Sequence, residues 1–246
     1  MKGKLLALGV DVHQEGENWF QADTYLREQL LANDPHGVYV PPFDHPHVWD
    51  GASSIITEIK QQLSEKDLNM DAIVCSVGGG GMLNGIMQGI DTCSWPNDRK
   101  PQVLAVETIG ADSLNASVRA GEHVTLPAIT SIASSLGATK VSAKTWEWAR
   151  DSAHLKSILV SDADAATACV RFADDARILV ETACGATIAI VYAGRLRNEL
   201  GAEGCSDDEW AKKNVVLEVC GGSGVSLEIL EMYRERYADQ ASFKKS

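Results

Sequence analysis

Positive charge is scarce in this chain. Its 246 residues carry 22 Lys and Arg against 34 Asp and Glu, a formal net charge of -12. Nucleic acids and anionic membrane surfaces are bound by clustered Lys and Arg, so neither is an expected partner. No apolar run approaches the length needed to cross a bilayer. The opening Met1-Lys2-Gly3-Lys4, followed by Leu5-Leu6-Ala7-Leu8, mimics a secretory signal, but the apolar stretch is short and Asp11 and His13 follow at once. The cysteines, Cys75, Cys93, Cys169, Cys184, Cys205 and Cys220, form no C-x-x-C pair. Several sit inside apolar runs, which suits buried thiols in a reducing compartment better than a disulfide framework. The expectation is a cytosolic protein that handles a small molecule.

What is present is enough for a core. Hydrophobic residues make up 45% of the chain, which argues against global disorder. Leu5 to Gly9 reads as a helix end closing on glycine, Val10 to His13 as a short strand, and Asn18 to Ala32 as a helix capped by Asn18. Val38-Tyr39-Val40 reads as a strand stopped by Pro41-Pro42. Ser53 to Leu63 is amphipathic. From Ala72 onward apolar runs alternate with helical patterns: 72–77, 103–106, 158–160, 178–180 and 215–219, with a last helix over 225–237. Continuous apolar strands alternating with helices predict an α/β fold whose mostly parallel, twisted sheet is covered on both faces. Residues 201–213 read as a polar surface loop. His45-Pro46-His47 has no carboxylate or cysteine partner arranged around it and reads as a loop rather than a metal site. Trp146 and Trp148 read as packing residues on a helix.

Two glycine-rich turns stand out. Gly78-Gly79-Gly80-Gly81 follows Ala72-Ile73-Val74-Cys75-Ser76-Val77, and Gly221-Gly222-Ser223-Gly224 follows Val215-Val216-Leu217-Glu218-Val219-Cys220. Each reads as strand, tight turn and helix, an arrangement that aims backbone N–H groups at an anion, most simply a cofactor phosphate. A nucleotide P-loop needs Lys-Ser/Thr after its last glycine, whereas Met82-Leu83 follow Gly81. The G-x-G-x-x-G spacing fails from every starting glycine of the first turn. The second turn lacks the last glycine of a G-x-S-x-G nucleophile elbow, so a hydrolase serine is not expected.

Ser76-Val77-Gly78-Gly79-Gly80-Gly81-Met82-Leu83-Asn84-Gly85 resembles the phosphate loop of pyridoxal-phosphate enzymes related to tryptophan synthase β. Four further segments narrow the resemblance to L-serine/L-threonine dehydratases: 40–44 (VPPFD), 106–113 (VETIGADS), 180–185 (VETACG) and 219–223 (VCGGS). They stand in the family's order over nearly the whole chain. The resemblance implies the fold type II architecture, with residues 1–42 the remnant of a small domain and 43–246 the large cofactor domain. It implies that Gly78, Gly79, Gly80 and Gly81 hold the phosphate of pyridoxal 5′-phosphate, and that Cys220 faces the pyridine nitrogen. A thiol is too weak an acid to keep that ring protonated, which suits β-elimination over transamination; by itself Cys220 also reads as a small buried hydrophobe. Backbone carbonyls near Glu107, Ala111, Ser113, Leu136 and Ala138 resemble the family's monovalent-cation (K⁺) site, although structural turns explain them almost as well.

The family also carries a Schiff-base lysine in a Ser-Phe-Lys-like setting and a substrate loop, both expected ahead of this chain's first residues. The expectation is therefore an N-terminally truncated dehydratase, inactive or nearly so by itself. Ser242-Phe243-Lys244 has the right letters but reads as a solvated tail. The alternatives are a non-catalytic remnant that binds pyridoxal phosphate and pairs with a full-length relative, as the family's dimerisation allows, or another reaction of the same fold such as serine racemisation, which Cys220 disfavours. The substrate of the complete family is a small amino acid.

Overall fold

The computed structural model describes residues 2–237 and 239–243. Two compact units divide the chain, Met1–Pro42 and Phe43–Ser246. In the first, α1 (Lys2–Ala7) closes on Gly9, whose φ of 76° places it in the left-handed region. Helix α2 (Trp19–Tyr25) starts where expected: the Asn18 side chain accepts the Gln21 N–H at 3.1 Å. It continues through a π turn, Leu26–Leu30, and a 3-10 turn, Leu31–Asn33. The strands expected over 10–13 and 38–40 do not form. Extended segments need a hydrogen-bonded neighbour to become strands, and among the described residues none pairs with either. Val38 and Val40 stay 84% and 79% exposed. Tyr39 is held instead through its hydroxyl, which donates to Asp23 at 2.6 Å while the Arg27 guanidinium lies over its ring.

The second unit holds α3 (Pro46–Ser64), β1 (Ala72–Ser76), α4 (Gly81–Thr92), β2 (Gln102–Thr108), α5 (Ser113–Ala120), α6 (Ala143–Asp151), β3 (Leu155–Val160), α7 (Asp162–Ala176), α8 (Thr182–Tyr192), the short α9 (Leu196–Glu199) and α10 (Asp207–Trp210), β4 (Val215–Leu217) and α11 (Leu227–Tyr237). The sheet order is β3-β2-β1-β4 with every pairing parallel. Alternate strand residues face opposite layers. Ile73, Cys75, Val103 and Ala105 pack toward α3 and α4, whereas Val74, Leu104, Val106 and Ile158 pack toward α7, α8 and α11. Helices thus cover both faces, as the continuous apolar runs predicted. Helix α8 is buried from Thr182 to Ile190, which suits its nearly unbroken apolar sequence.

Several local expectations need correction. Ile178–Val180 has a strand's composition but pairs with nothing; it links α7 to α8 just after the left-handed Arg177, and only Val180 is buried. His45-Pro46-His47 is a helix start, not a loop: His45 caps α3, its Nδ1 accepting the His47 N–H at 3.2 Å, with Pro46 in the first turn where a missing N–H costs little. The polar stretch 201–213 contains the α10 turn, closed by a Ser206–Glu209 capping box. Ser242 and Phe243 are not a solvated tail. The Ser242 N–H donates to Asp164 at 2.6 Å, and Phe243 is 8% exposed in the core near Tyr192. Lys244 lies outside the described residues.

Candidate functional site

Chain direction across the sheet reverses at β1. The path runs outward from β1 through β2 to β3, then returns to β4 on the other side of β1. The cleft beyond the carboxyl ends of two such strands is where open α/β sheets bind ligands. Both glycine turns lie there, Gly78–Gly81 after β1 and Gly221–Gly224 after β4.

The first turn is built as a cradle. Gly80 caps α4 with φ 96°, a conformation that only glycine adopts without strain. A side chain on Gly79 would strike the Phe43 ring, and one on Gly80 would strike the Thr145 side chain. Among the described residues, no protein atom accepts a hydrogen bond from the backbone N–H groups of Gly78 to Leu83. Unpaired N–H groups at the start of a twelve-residue helix fit a phosphate or similar anion. Beneath the loop, Asn84, Ser142 and Thr145 form a buried polar triangle. Asn84 Nδ2 donates to Ser142 Oγ, Thr145 Oγ1 donates to Asn84 Oδ1, and the two hydroxyls share a hydrogen bond, each at 2.9 Å. The Ser142 N–H also donates to the Gly79 carbonyl at 2.9 Å, tying α6 to the loop. Asn84→Ala removes two of the three bonds of the triangle and leaves the two buried hydroxyls bonded only to each other and to the Thr145 N–H, and the expected cost is about 2–3 kcal/mol. Urea unfolding of that variant checks it; a loss below about 0.5 kcal/mol shows the triangle to be incidental.

The second turn differs from its expected form. Strand β4 ends at Leu217 and α11 begins only at Leu227, so the glycines do not open a helix. One of them meets a protein carboxylate, and the Gly221 N–H goes to Cys184 Sγ at 3.2 Å. Glu181 Oε2 accepts the Gly224 N–H at 3.1 Å, Glu181 Oε1 accepts from Ser135 Oγ at 2.5 Å, and a side chain on Gly222 would run into Glu181. Ser135 and Leu136 backbone atoms lie against Gly78, so Glu181 and the 134–136 turn join the two glycine loops. Cys220 is exposed at this cleft, its Sγ 3.8 Å from Met82 Sδ in the first turn of α4. Its S–H donates to Glu218 Oε1 at 2.7 Å. Although the residue is exposed, partial shielding of its sulfur from water, then the bond to Glu218, push the thiol up to about 12. Burial also raises the Glu218 carboxyl, against the bond from Cys220.

Glu107, Ala111, Ser113, Leu136 and Ala138 are all buried in the second unit. The Glu107 carboxylate accepts the Leu114 and Asn115 N–H groups at 2.9 and 2.7 Å and so caps α5. Burial pushes this carboxyl up to about 8, against the pull of those two bonds. Ser113 Oγ is buried with no hydrogen-bond partner, an orphaned oxygen that suits a cation ligand. The Ser113 and Leu136 carbonyls already accept from Ser117 Oγ and the Ala138 N–H, both at 2.8 Å.

Five lysines of the second unit are engaged by partners. Lys60, Lys100, Lys144, Lys156 and Lys213 bond Ser94, Asp91, Glu147, Glu199 and Asp71 respectively. Phe43, Asn84 and Glu181 lie in segments that carried the resemblance, but these roles for them, and for Glu218, Ser142 and Thr145, were not legible in the sequence. Glu218 left a further local signal, as the one charged residue in the apolar run 215–220.

Known proteins share this fold and much of this sequence. The family model described as "Pyridoxal-phosphate dependent enzyme" matches residues 1–221. An L-serine dehydratase of Saccharomyces cerevisiae (strain AWRI1631) is 37% identical over 235 residues, 93% of this chain and 68% of the relative. The Bos taurus L-serine dehydratase/L-threonine deaminase is 43% identical over 219 residues, 89% of this chain and 64% of that protein. The crystal structure of a fungal L-serine ammonia-lyase from Rhizomucor miehei superposes with a TM-score of 0.83 at 37% identity, covering 96% of this chain and 70% of that one. With a phosphate cradle at the switch point of its sheet and relatives of this closeness, the chain belongs to the pyridoxal-phosphate dependent enzyme family.

Proposed function

We propose that this chain is of the L-serine/L-threonine dehydratase type, that its first glycine loop holds the phosphate of pyridoxal 5′-phosphate, and that its own lysines give the cofactor no covalent anchor. The observation that carries the reading is the run of unpaired N–H groups from Gly78 to Leu83 at the head of α4, set beside Cys220 across the switch point. Pyridoxal phosphate, when bound, supplies the electron sink through which L-serine loses its α-proton and β-hydroxyl to give pyruvate and ammonia, or L-threonine gives 2-oxobutanoate. The loop N–H groups bind and orient the phosphate; Thr145 and Phe43 keep the loop in shape by filling the space behind it. Cys220 meets the ring edge. Residues 1–42 are assigned to a small domain and 43–246 to the cofactor domain, of a protein working in the cytoplasm. A K⁺ ion is assigned to the carbonyls near Glu107, Ala111, Ser113, Leu136 and Ala138, with the orphaned Ser113 Oγ beside it.

A second role alongside the first, which the resemblance allows, is that of a partner that pairs with a full-length relative rather than working alone. Incubation with pyridoxal phosphate, borohydride reduction and peptide mapping tests both. The expected result is saturable, phosphate-competed binding with no single-site lysine adduct and no pyruvate from L-serine. One stoichiometric adduct at a single lysine, or turnover by the isolated chain, overturns the absence of an anchor. Absence of saturable binding overturns the cofactor reading itself.

A further inference from the structure

We propose that Glu181 is a positioning residue for both glycine loops: its carboxylate latches the turn beside Gly78 to the loop that carries Cys220, so that an anion on the first loop steadies the second. That the anion is a cofactor phosphate rests on the reading above; the latch itself does not.

Glu181 stands at the N-cap of α8, where a side-chain oxygen ordinarily accepts an N–H of the same helix; here it makes no such bond. Both oxygens reach away from the helix instead. Oε1 accepts the Ser135 hydroxyl at 2.5 Å and Oε2 the Gly224 N–H at 3.1 Å. The Glu181 N–H donates to the Gly221 carbonyl at 2.8 Å, and Cys184, one turn along α8, takes the Gly221 N–H. The head of α8 therefore grips the second loop on both sides of Gly222. That loop needs holding: residues 218–226 lie between β4 and α11, and Gly221 and Gly222 have φ of 92° and 87°. Glycine-rich backbone without regular structure has little stiffness of its own. Gly222 also lets the carboxyl in, since a Cβ there would lie 2.2 Å from Glu181 Cδ. On the other side, the Ser135 carbonyl oxygen and Leu136 Cα lie 3.1 and 3.2 Å from where a Gly78 Cβ would be, so the turn that Glu181 grips backs directly on the first loop. Between the two loops α8, buried from Thr182 to Ile190, is packed in the core and serves as a fixed post. The two donors arrive on different oxygens. A carboxylate accepts both, whereas a glutamine amide has one oxygen and turns its NH2 against the other donor. The position thus calls for two acceptors rather than for volume.

Hydrogen exchange, followed peptide by peptide with mass spectrometry, reads the latch without cofactor or turnover. Ser135→Ala removes its first-loop end. The expected result is exchange about tenfold faster over 221–224, on the other loop. Ser135→Thr keeps the hydroxyl and should restore the parent rate. Glu181→Gln should show the same acceleration, and adding Ser135→Ala to it should change nothing further, because both act on one latch. A merely structural Glu181 would loosen the second loop in Glu181→Gln and leave Ser135→Ala without effect there. Unchanged exchange over 221–224 in folded Ser135→Ala, no restoration by Ser135→Thr, or additive effects in the double variant overturn the proposal. Inorganic phosphate gives the second arm. On the wild type it should slow exchange over 78–83 and over 221–224 together, and on Glu181→Gln over 78–83 alone. Protection confined to 78–83 in the wild type overturns the coupling. Protection of neither segment removes the anion from the first loop and overturns the cofactor reading, while the latch stands or falls on the Ser135 variants.

Discussion

Replacing Gly80 by valine is expected to weaken pyridoxal phosphate binding by about a hundredfold or more, the largest loss of any single change in the cleft. Two physical terms act together. The backbone at Gly80 sits at φ 96°, where a residue with a Cβ pays about 1–2 kcal/mol, and a β-branched one more. The added Cβ also runs into the Thr145 hydroxyl, which is itself locked into hydrogen bonds with Asn84 and Ser142. The hydroxyl cannot swing aside without breaking the triangle, so the loop must move. Anion binding by convergent N–H groups depends on their direction, and a shift of about an ångström spoils several at once. Gly121 provides the control. It has φ 72° and open space where its Cβ would be, so Gly121→Val measures the left-handed strain without the collision. Cofactor titration by absorbance, with circular dichroism confirming that each variant is folded, separates the two. If folded Gly80→Val binds like the parent chain, the phosphate does not sit on this loop.

How much of this was readable beforehand depended on range. The run 72–77 announces itself because a strand buried on both faces needs apolar residues throughout, and the four glycines after it mark a close backbone approach. The same rule misreads Ile178–Val180. Its letters match a buried strand, but α8 starts immediately afterward and leaves no length for pairing. Strand residues are identified by their partners, and partners are not written in a three-residue window. Val38–Val40 fails for the same reason. The cradle was legible as composition; what holds it was not. Ser142 and Thr145 lie 58 and 61 residues from Asn84 in sequence, and Phe43 reaches the loop from a segment well before it. The second turn shows the limit of motif reading. Gly221–Gly224 looks like another anion loop, but only the Gly224 N–H meets a carboxylate, that of Glu181 at the head of α8, and the Gly221 N–H goes to Cys184 Sγ. Phe243 carried the opposite lesson, since a polar neighbourhood in sequence can hide one apolar residue that finds the core.

The Glu107 carboxyl gives the largest expected effect on stability, and its sign follows from burial. Folding moves this group from its ordinary 4.5 to about 8, so between those values the folded chain holds a proton that the unfolded chain has released. Stability falls as pH rises wherever the native state binds more protons. The contribution is therefore complete below pH 4.5 and is lost as pH passes through 8. At about 1.4 kcal/mol per unit, the loss across that window is on the order of 4–5 kcal/mol. Glu107→Gln cannot titrate, so urea midpoints of the two proteins should diverge across the window when tetramethylammonium is the buffer cation. The wild type should show the steep downward slope and the Gln variant a shallower one. Parallel curves would mean that the carboxyl stays ionised on its Leu114 and Asn115 N–H bonds, with burial counting for less than the geometry implies. Potassium decides the neighbouring question. A cation among the carbonyls near Ala111, Ser113, Leu136 and Ala138 would favour the ionised carboxylate and lower its proton affinity. Stability at the alkaline end should then rise with potassium concentration by mass action, and the wild-type slope should flatten toward that of the variant. Slopes that are the same in potassium and in tetramethylammonium would remove the cation from this site and leave Glu107 as the cap of α5 alone.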